Sequence, residues 1–425
     1  MNLLKQNSTP SNKLQLIGRA HSQKSYELRD FLKRSVVNFE WIEINNDEEA
    51  KKFAGISSIS DRLLPICIFP DGTRLYTPSL REVADRLGWI SKPKYEEYDV
   101  SIYGAGPAGL SAAVYAASEG LKTIVIERNA VGGQAGSSSL IENFLGFPSG
   151  ISGADLAERA RQQAVKFGCE ILLLREGVHA EFIDGKIHAD LADGGKIIAK
   201  TNICATGVEY QRLNIANEDK FLGAGIFYGS GASEAPMCSG QTVFVIGGGN
   251  SAGQAAMNMS EYASKVVMLV RGDSLSSTLS HYLIEKIENT SNIKVLTNTE
   301  LVEVDGDKTL KEITILNNND DSTEIFNASR IFICIGGKPH TEWAKETKII
   351  RNEKNYLITG TQLLKDENFT KIWPLDREPY FLETSVPGSF AAGDVRHGSI
   401  KRVASAVGEG AMAVTFIHKY LQEAY

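Results

Sequence analysis

The chain has 425 residues, 42% hydrophobic and 23% charged, the balance of a globular protein too long for one ordinary core. Its formal net charge is −7 and its basic residues are scattered, which excludes a nucleic-acid surface. No apolar run approaches the ~18 residues of a membrane span, and the polar start, Met1 to Lys13, has no signal-peptide core, so a cytoplasmic location is expected.

Residues 13–90 read as a compact α/β block. Leu14 to Ile17 predicts a strand, Ser25 to Ser35 an amphipathic helix, Phe39 to Ile44 a second strand and Asp47 to Phe53 a short helix. Leu63 to Phe69 predicts a third strand, ended by the turn Pro70-Asp71-Gly72. Pro78 and Ser79 open a last helix through Leu87, and Trp89 to Glu97 reads as a linker around Lys92-Pro93-Lys94. The block resembles the thioredoxin/glutaredoxin fold, with Leu64-Pro65-Ile66 where that fold places its cis-proline. In place of the family's C-x-x-C stands Ser22-Gln23-Lys24-Ser25. A hydroxyl forms no disulfide, so the resemblance implies a redox-inert module for docking, for dimer stabilisation or for binding a thiol-containing partner.

From Tyr98 onward strand and helix alternate. Asp99 to Tyr103 predicts a strand, Ala108 to Glu119 a helix and Lys122 to Glu127 a strand. A second unit repeats the order with Gln241 to Ile246, Ser251 to Tyr262 and Lys265 to Val270. Each unit carries a glycine-rich turn between strand and helix, and the two turns lie about 140 residues apart. They are Gly104-Ala105-Gly106-Pro107-Ala108-Gly109 and Gly247-Gly248-Gly249-Asn250-Ser251-Ala252. The expected fold class is therefore α/β, with two Rossmann-like, three-layer dinucleotide-binding domains after the N-terminal α/β domain.

Glycines are needed because side chains would keep a pyrophosphate from the backbone amides, and the following helix offers partial positive charge to the anion. Glu127 stands 23 residues after Gly104, where a carboxylate accepts hydrogen bonds from an adenosine ribose. It would repel a 2′-phosphate, so this site suits FAD or NAD. The second unit ends in Leu269-Val270-Arg271, with no acid at the tip. Arg271 either meets a 2′-phosphate or is a solvated strand end, a mild preference for NADPH over NADH. The cysteines Cys67, Cys169, Cys204, Cys238 and Cys334 are more than 30 residues apart, so no C-x-x-C and no metal site is expected. Cys204 and Cys334 fall in apolar strands and read as buried thiols.

Residues 98–425 resemble the low-molecular-weight thioredoxin reductases, FAD- and NAD(P)H-dependent members of the class II pyridine nucleotide-disulfide oxidoreductases. Besides the two turns, the resemblance rests on Gly132-Gly133-Gln134, Ile141-Glu142-Asn143-Phe144 and Ala205-Thr206-Gly207. It continues in Ala392-Gly393-Asp394-Val395 and Lys401-Arg402-Val403-Ala404. It implies FAD segments at about 98–212 and 334–425 around an NAD(P)H insert at about 213–333, with residues 1–95 as the preceding domain. It further implies that Gly133, Gln134 and Asn143 approach the flavin and that Thr206 and Gly207 belong to the cofactor site. Gly393 and Asp394 would serve the ribityl or pyrophosphate region, and Val403 and Ala404 would point amides at the flavin pyrimidine edge and stabilise the reduced anion. A homodimer is implied as well.

Two departures stand out. Where the family places C-A-T-C, this chain reads Gly229-Ser230-Gly231-Ala232, and the usual H-R-R-x-x-x-R is reduced to Val270-Arg271-Gly272 with Ser276 at the last position. The expected function is transfer of electrons from NAD(P)H through FAD to an external acceptor: a disulfide, a quinone or dye, or a ferredoxin-type protein. Two other readings stay open, a nucleotide-bound sensing or docking protein with little turnover, and a disulfide reductase working through Cys238. His281 and His397, the histidines nearest the expected cofactor regions, are not expected to act as acid–base groups.

Overall fold

The computed structural model describes residues 13–365, 369 and 373–424; of the polar start, only Lys13 lies among them. Strand β1 (Leu14–Gly18) leads into helix α1 (Gln23–Arg34) and β2 (Phe39–Glu43). After β3 (Ile66–Ile68) and β4 (Arg74–Tyr76) comes α2 (Leu80–Arg86). The strands order as β2-β1-β3-β4, with β1 parallel to β2 and the other pairs antiparallel. Helix α1 starts two residues before its expected position because Ser22 caps it, accepting from the Ser25 amide. Ser79 and Glu82 close a full capping box on α2. Residues 47–53 differ from expectation: three α-helical residues run into a π-helical turn, Ala50–Ala54. Strand β4 was not anticipated, because Arg74 and Tyr76 are exposed and leave too few apolar residues to signal a strand. The Leu64–Pro65 bond is cis.

Next come β5 (Tyr98–Tyr103), α3 (Pro107–Ser118), β6 (Thr123–Glu127), α4 (Gly153–Lys166) and β7 (Glu170–Leu173). Strands β8 (Gly177–Ile183), β9 (Lys186–Leu191) and β10 (Lys196–Cys204) follow. The sheet order is β7-β6-β5-β10-β9-β8, and β21 (Ser389–Ala391), from far along the chain, pairs with the end of β10. The long helix α7 (Val403–Ala424) packs on α3 through small residues. A Cβ at Gly410 would lie 2.1 Å from the Ala108 carbonyl oxygen, so only glycine permits that approach.

Between β10 and β21 the chain builds another sheet. Strands β12 (Ile226–Tyr228), β13 (Thr242–Ile246), β14 (Lys265–Val270), β15 (Ile293–Thr297) and β19 (Ile331–Ile333) run parallel in the order β12-β19-β13-β14-β15. Helices α5 (Asn250–Ser260) and α6 (His281–Glu288) cover one face. An antiparallel sheet of β16 (Thr299–Gly306), β17 (Leu310–Asn317) and β18 (Ser322–Asn327) packs on the other. Outgoing and returning chain pair as a ribbon of β11 (Val208–Tyr210) and β20 (Gly337–Pro339). Among the described residues no helix is long and apolar enough to cross a membrane.

Helix α1 is wedged against both larger units. Gln23 meets Gly223, the Tyr26 ring sits edge-on to Phe227 at 5.1 Å, and Lys33 donates to the Ala232 carbonyl. Arg29 pairs with Glu234 at 2.8 Å, the two side chains 3% and 0% exposed. Such a pair contributes little net stability against apolar replacements, but breaking it strands a buried charge. Glu234→Ala is therefore expected to cost about 3–5 kcal/mol in denaturant unfolding, while Arg29→Met with Glu234→Leu recovers most of that loss. Equal stability of Glu234→Ala and wild type would contradict the docked helix.

Candidate cofactor cavity

Both glycine-rich turns are shaped by the same contact. Gly104 has φ +103°, and a Cβ there would lie 2.4 Å from the carbonyl oxygen of Ala205, the residue after β10. Gly247 has φ +135°, and its Cβ would lie 2.3 Å from the carbonyl oxygen of Cys334, the residue after β19. Gly106 and Gly249 are the N-caps of α3 and α5, and no side chain caps either helix. The first-turn amides are thus left for an anion. Gly109 packs α3 on its strand, since a Cβ would fall 1.8 Å from the Gly104 carbonyl oxygen. Ala252 replaces that glycine in the second turn, its methyl in ordinary contact range of Gly247. The Glu127 carboxylate accepts from the amides of Ala105 at 2.7 Å and Asn129 at 2.8 Å. Each oxygen keeps a lone pair for a ligand hydroxyl.

The first turn opens on a cavity of about 510 Å³, in the size range of cofactor sites. Gly104, Gly106, Pro107, Ala108 and Glu127 line it at one side. Gly133, Gln134, Asn143, Thr206 and Gly207 continue the wall, and Gly393, Asp394 and Val403 complete it. Asn250 and Ser251, at the start of α5, border the same cavity, so both turns face one space. A Cβ at Gly133 would stand 3.2 Å from Gly106 Cα, which brings the two loops edge to edge. Gln134 Nε2 donates to the Val208 carbonyl at 2.9 Å and Thr206 Oγ1 to the His340 carbonyl at 2.8 Å, tying the cavity to the ribbon. Burial pushes the Asp394 carboxyl above the usual carboxylate range, against the pull of Lys401. Open amides, a ribose-type carboxylate and a half-buried acid at one cavity fit a flavin dinucleotide.

Other expected residues fall off the cavity wall. Gly109, Gly247, Gly249 and Ala252 shape the turns from behind, and Ala404 is exposed in the first turn of α7. Arg271 is exposed just beyond β14. His281 is a surface residue 3.5 Å from Glu285, and the His397 ring nitrogen meets Asn352 at 3.0 Å. Besides His179, the cavity wall holds His340, which sequence reasoning missed. His340 lies with Arg128 and Glu209, whose ion pair measures 2.5 Å, and desolvation with the nearby guanidinium lowers its pKa. Arg34, from α1, was missed as well. Neither carries a local motif; both arrive through long-range packing.

The 229–232 segment is repacked as well as thiol-free. A Cβ at Gly229, φ +91°, would lie 2.4 Å from Tyr210 Oη, and one at Gly231, φ +58°, 2.2 Å from the Phe332 ring. Ser230 donates to the Ser137 carbonyl. Cys238, the thiol nearest in sequence, is fully buried; its Sγ contacts the Glu234 carbonyl at 3.4 Å, and desolvation pushes it up to about 12. A thiol so placed is neither nucleophilic at neutral pH nor open to a partner, which counts against the Cys238 reading. Cys67, Cys169, Cys204 and Cys334 are likewise free and buried. Ser25 of the N-terminal unit is 1% exposed.

Comparison with known proteins agrees with this geometry. Residues 98–410 match the family described as pyridine nucleotide-disulphide oxidoreductase. A thioredoxin reductase from Listeria innocua is 32% identical over 328 residues, 77% of this chain and 94% of the relative. A 34.2 kDa protein in the rubredoxin operon of Clostridium pasteurianum is 32% identical, covering 77% of this chain and 98% of its own length. Among solved structures, Lactococcus lactis thioredoxin reductase, in a form termed the FR conformation, aligns with TM-score 0.68 at 27% identity over 77% of this chain and 99% of its own. The T. acidophilum thioredoxin reductase gives 0.68 at 29% identity over 78% and 100%. Two Rossmann-like units, an FAD-type cradle and a second nucleotide turn facing one cavity thus have their counterpart in the thioredoxin reductases, and the chain belongs to the pyridine nucleotide-disulphide oxidoreductase family, whose members of this type use FAD and NADPH.

Proposed function

We propose that this flavoprotein passes electrons from NAD(P)H through FAD to an acceptor outside the chain, with no redox disulfide of its own. The observation that carries this reading is the 229–232 segment: glycine-bound by tight contacts, thiol-free and covered by α1, while both nucleotide turns face one cavity. Bound FAD supplies a hydride acceptor that can release its electrons singly or in pairs.

The chain's own residues hold and orient. The amides of Gly106 and Ala108, at the N-terminus of α3, receive the FAD pyrophosphate, and Glu127, which holds the Ala105 amide, receives the adenosine ribose. Asp394, its carboxyl raised by burial, gains from a ribityl hydroxyl donor, and the preceding Gly393 is fixed by donating its N–H to the Glu409 carboxylate at 2.7 Å. Gly133, Gln134, Asn143, Thr206 and Gly207 flank the flavin, and the amides of Val403 and Ala404 offer the α7 N-terminus to its pyrimidine edge. Gly247, Gly249, Asn250, Ser251 and Ala252 form the cradle for the nicotinamide coenzyme, and Arg271 reads its 2′-phosphate. The domain division is taken as 1–95, 98–212 with 334–425, and 213–333. The strand order β2-β1-β3-β4 and the cis Leu64–Pro65 bond support a thioredoxin-like first domain. Five free, buried cysteines suit a reducing compartment such as the cytoplasm. The relatives named above favour a protein acceptor.

Either coenzyme is expected to bleach the bound flavin in stopped-flow mixing and to sustain turnover with artificial acceptors; no bleaching by NADPH or NADH would overturn the proposal. Cys238→Ser is expected to keep activity within about twofold, since a buried, protonated thiol adds little to the electron path. Loss of turnover in that variant would restore the thiol reading. Arg271→Ala is expected to lower the NADPH-to-NADH ratio of kcat/KM about tenfold, the effect of one charge-assisted hydrogen bond. An unchanged ratio would remove Arg271 from coenzyme selection.

A further inference from the structure

Helix α1 does more than hold the N-terminal domain in place. Its final residue, Arg34, lines the same cavity as Gly106 and Asp394, although it precedes the first glycine-rich turn by 70 residues. Its side chain is 12% exposed. Nη2 donates to the carbonyls of Gly133 at 3.0 Å and Ala130 at 3.3 Å, and Nε is buried with no protein partner among the described residues. Gly133 rests against Gly106, so the contacts run from the appended helix through the 130–133 turn to the dinucleotide turn. The opposing charge is Asp30, 3.6 Å from Nη1, whose carboxyl is pushed up by desolvation in spite of Arg34. A guanidinium stays protonated at any working pH, and a charge this well covered by protein acts through less water than one at a surface. The helix is seated firmly enough to hold it there, through Arg29–Glu234 and the Lys33 contact.

We propose that Arg34 is a positioning residue of the FAD site supplied by the N-terminal domain: it fixes the 130–133 turn against the dinucleotide turn and sets a permanent positive charge beside the bound cofactor. The proposal rests on the assignment of this cavity to FAD. A fixed cation favours the redox state with the greater negative charge, so its removal lowers the midpoint potential. The appended domain thereby tunes the reductase body without redox chemistry of its own, a use for a module whose cysteine positions hold serine.

The test is a reductive titration of purified, FAD-loaded full-length protein against reference dyes, together with FAD affinity, for wild type, Arg34→Gln and Arg34→Lys. Arg34→Gln is expected to lose about tenfold in its preference for reduced over oxidised FAD, equivalent to a potential about 30 mV lower for a two-electron couple. Arg34→Lys, which keeps the charge but not the fork, is expected to stay within about threefold of wild type in that preference while binding FAD more weakly. An Arg34→Gln potential matching wild type, or equal shifts in both variants, overturns the proposal. Should Arg34→Gln fail to fold, an Arg34→Lys potential at the wild-type value with weakened FAD binding supports the two-part role, and any larger shift overturns it. Wild type that takes up no FAD removes the cofactor assignment and the proposal together, whereas FAD-binding wild type with indifferent variants removes the proposal alone.

Discussion

Gly104 and Gly247 each press against the carbonyl of the residue that ends a neighbouring strand, with no room for one more carbon. That contact sets where α3 and α5 begin, and so where two rows of free amides point. It requires a left-handed backbone, which glycine adopts without strain. The remaining features of the cavity are arranged around this constraint. Glu127 locks the first turn through two amides, the small-residue contact between α3 and α7 brings Asp394 and Val403 to the same space, and the β11–β20 ribbon sets the second turn facing the first.

The second organising contact is the seat of α1. One side of this helix packs into the core of its own domain through Leu28, Phe31 and Leu32. Other residues reach the insert and the FAD side, through Tyr26, Arg29, Lys33 and Arg34. The helix thus reaches the 229–232 segment, through Lys33 at the Ala232 carbonyl. Glycines at 229 and 231 accommodate Tyr210 and Phe332, and Ser230 bonds across to Ser137. A cysteine at 229 would collide with the Tyr210 hydroxyl.

The sequence made the turns legible because their chemistry is local. Spacing from strand to glycines to helix, and from Gly104 to Glu127, is read within some two dozen residues, and the backbone follows. The FAD-side residues recognised through their motifs, Gly133, Gln134, Asn143, Thr206, Gly207 and Asp394, do line one cavity. What stayed hidden depends on contacts across the chain. Arg34 looked like an ordinary basic residue at a helix end, where such residues are common. His340 follows the returning ribbon strand, with nothing nearby to mark it, while His281 looked closer to a cofactor and points to solvent.

On the proposed function the flavin is the last redox centre within the chain, and counting electrons decides whether it is. In an anaerobic titration, full reduction of the purified protein is expected to consume about one two-electron equivalent per FAD, with no further uptake. Consumption of about two equivalents per FAD would reveal a hidden disulfide relay and contradict the claim.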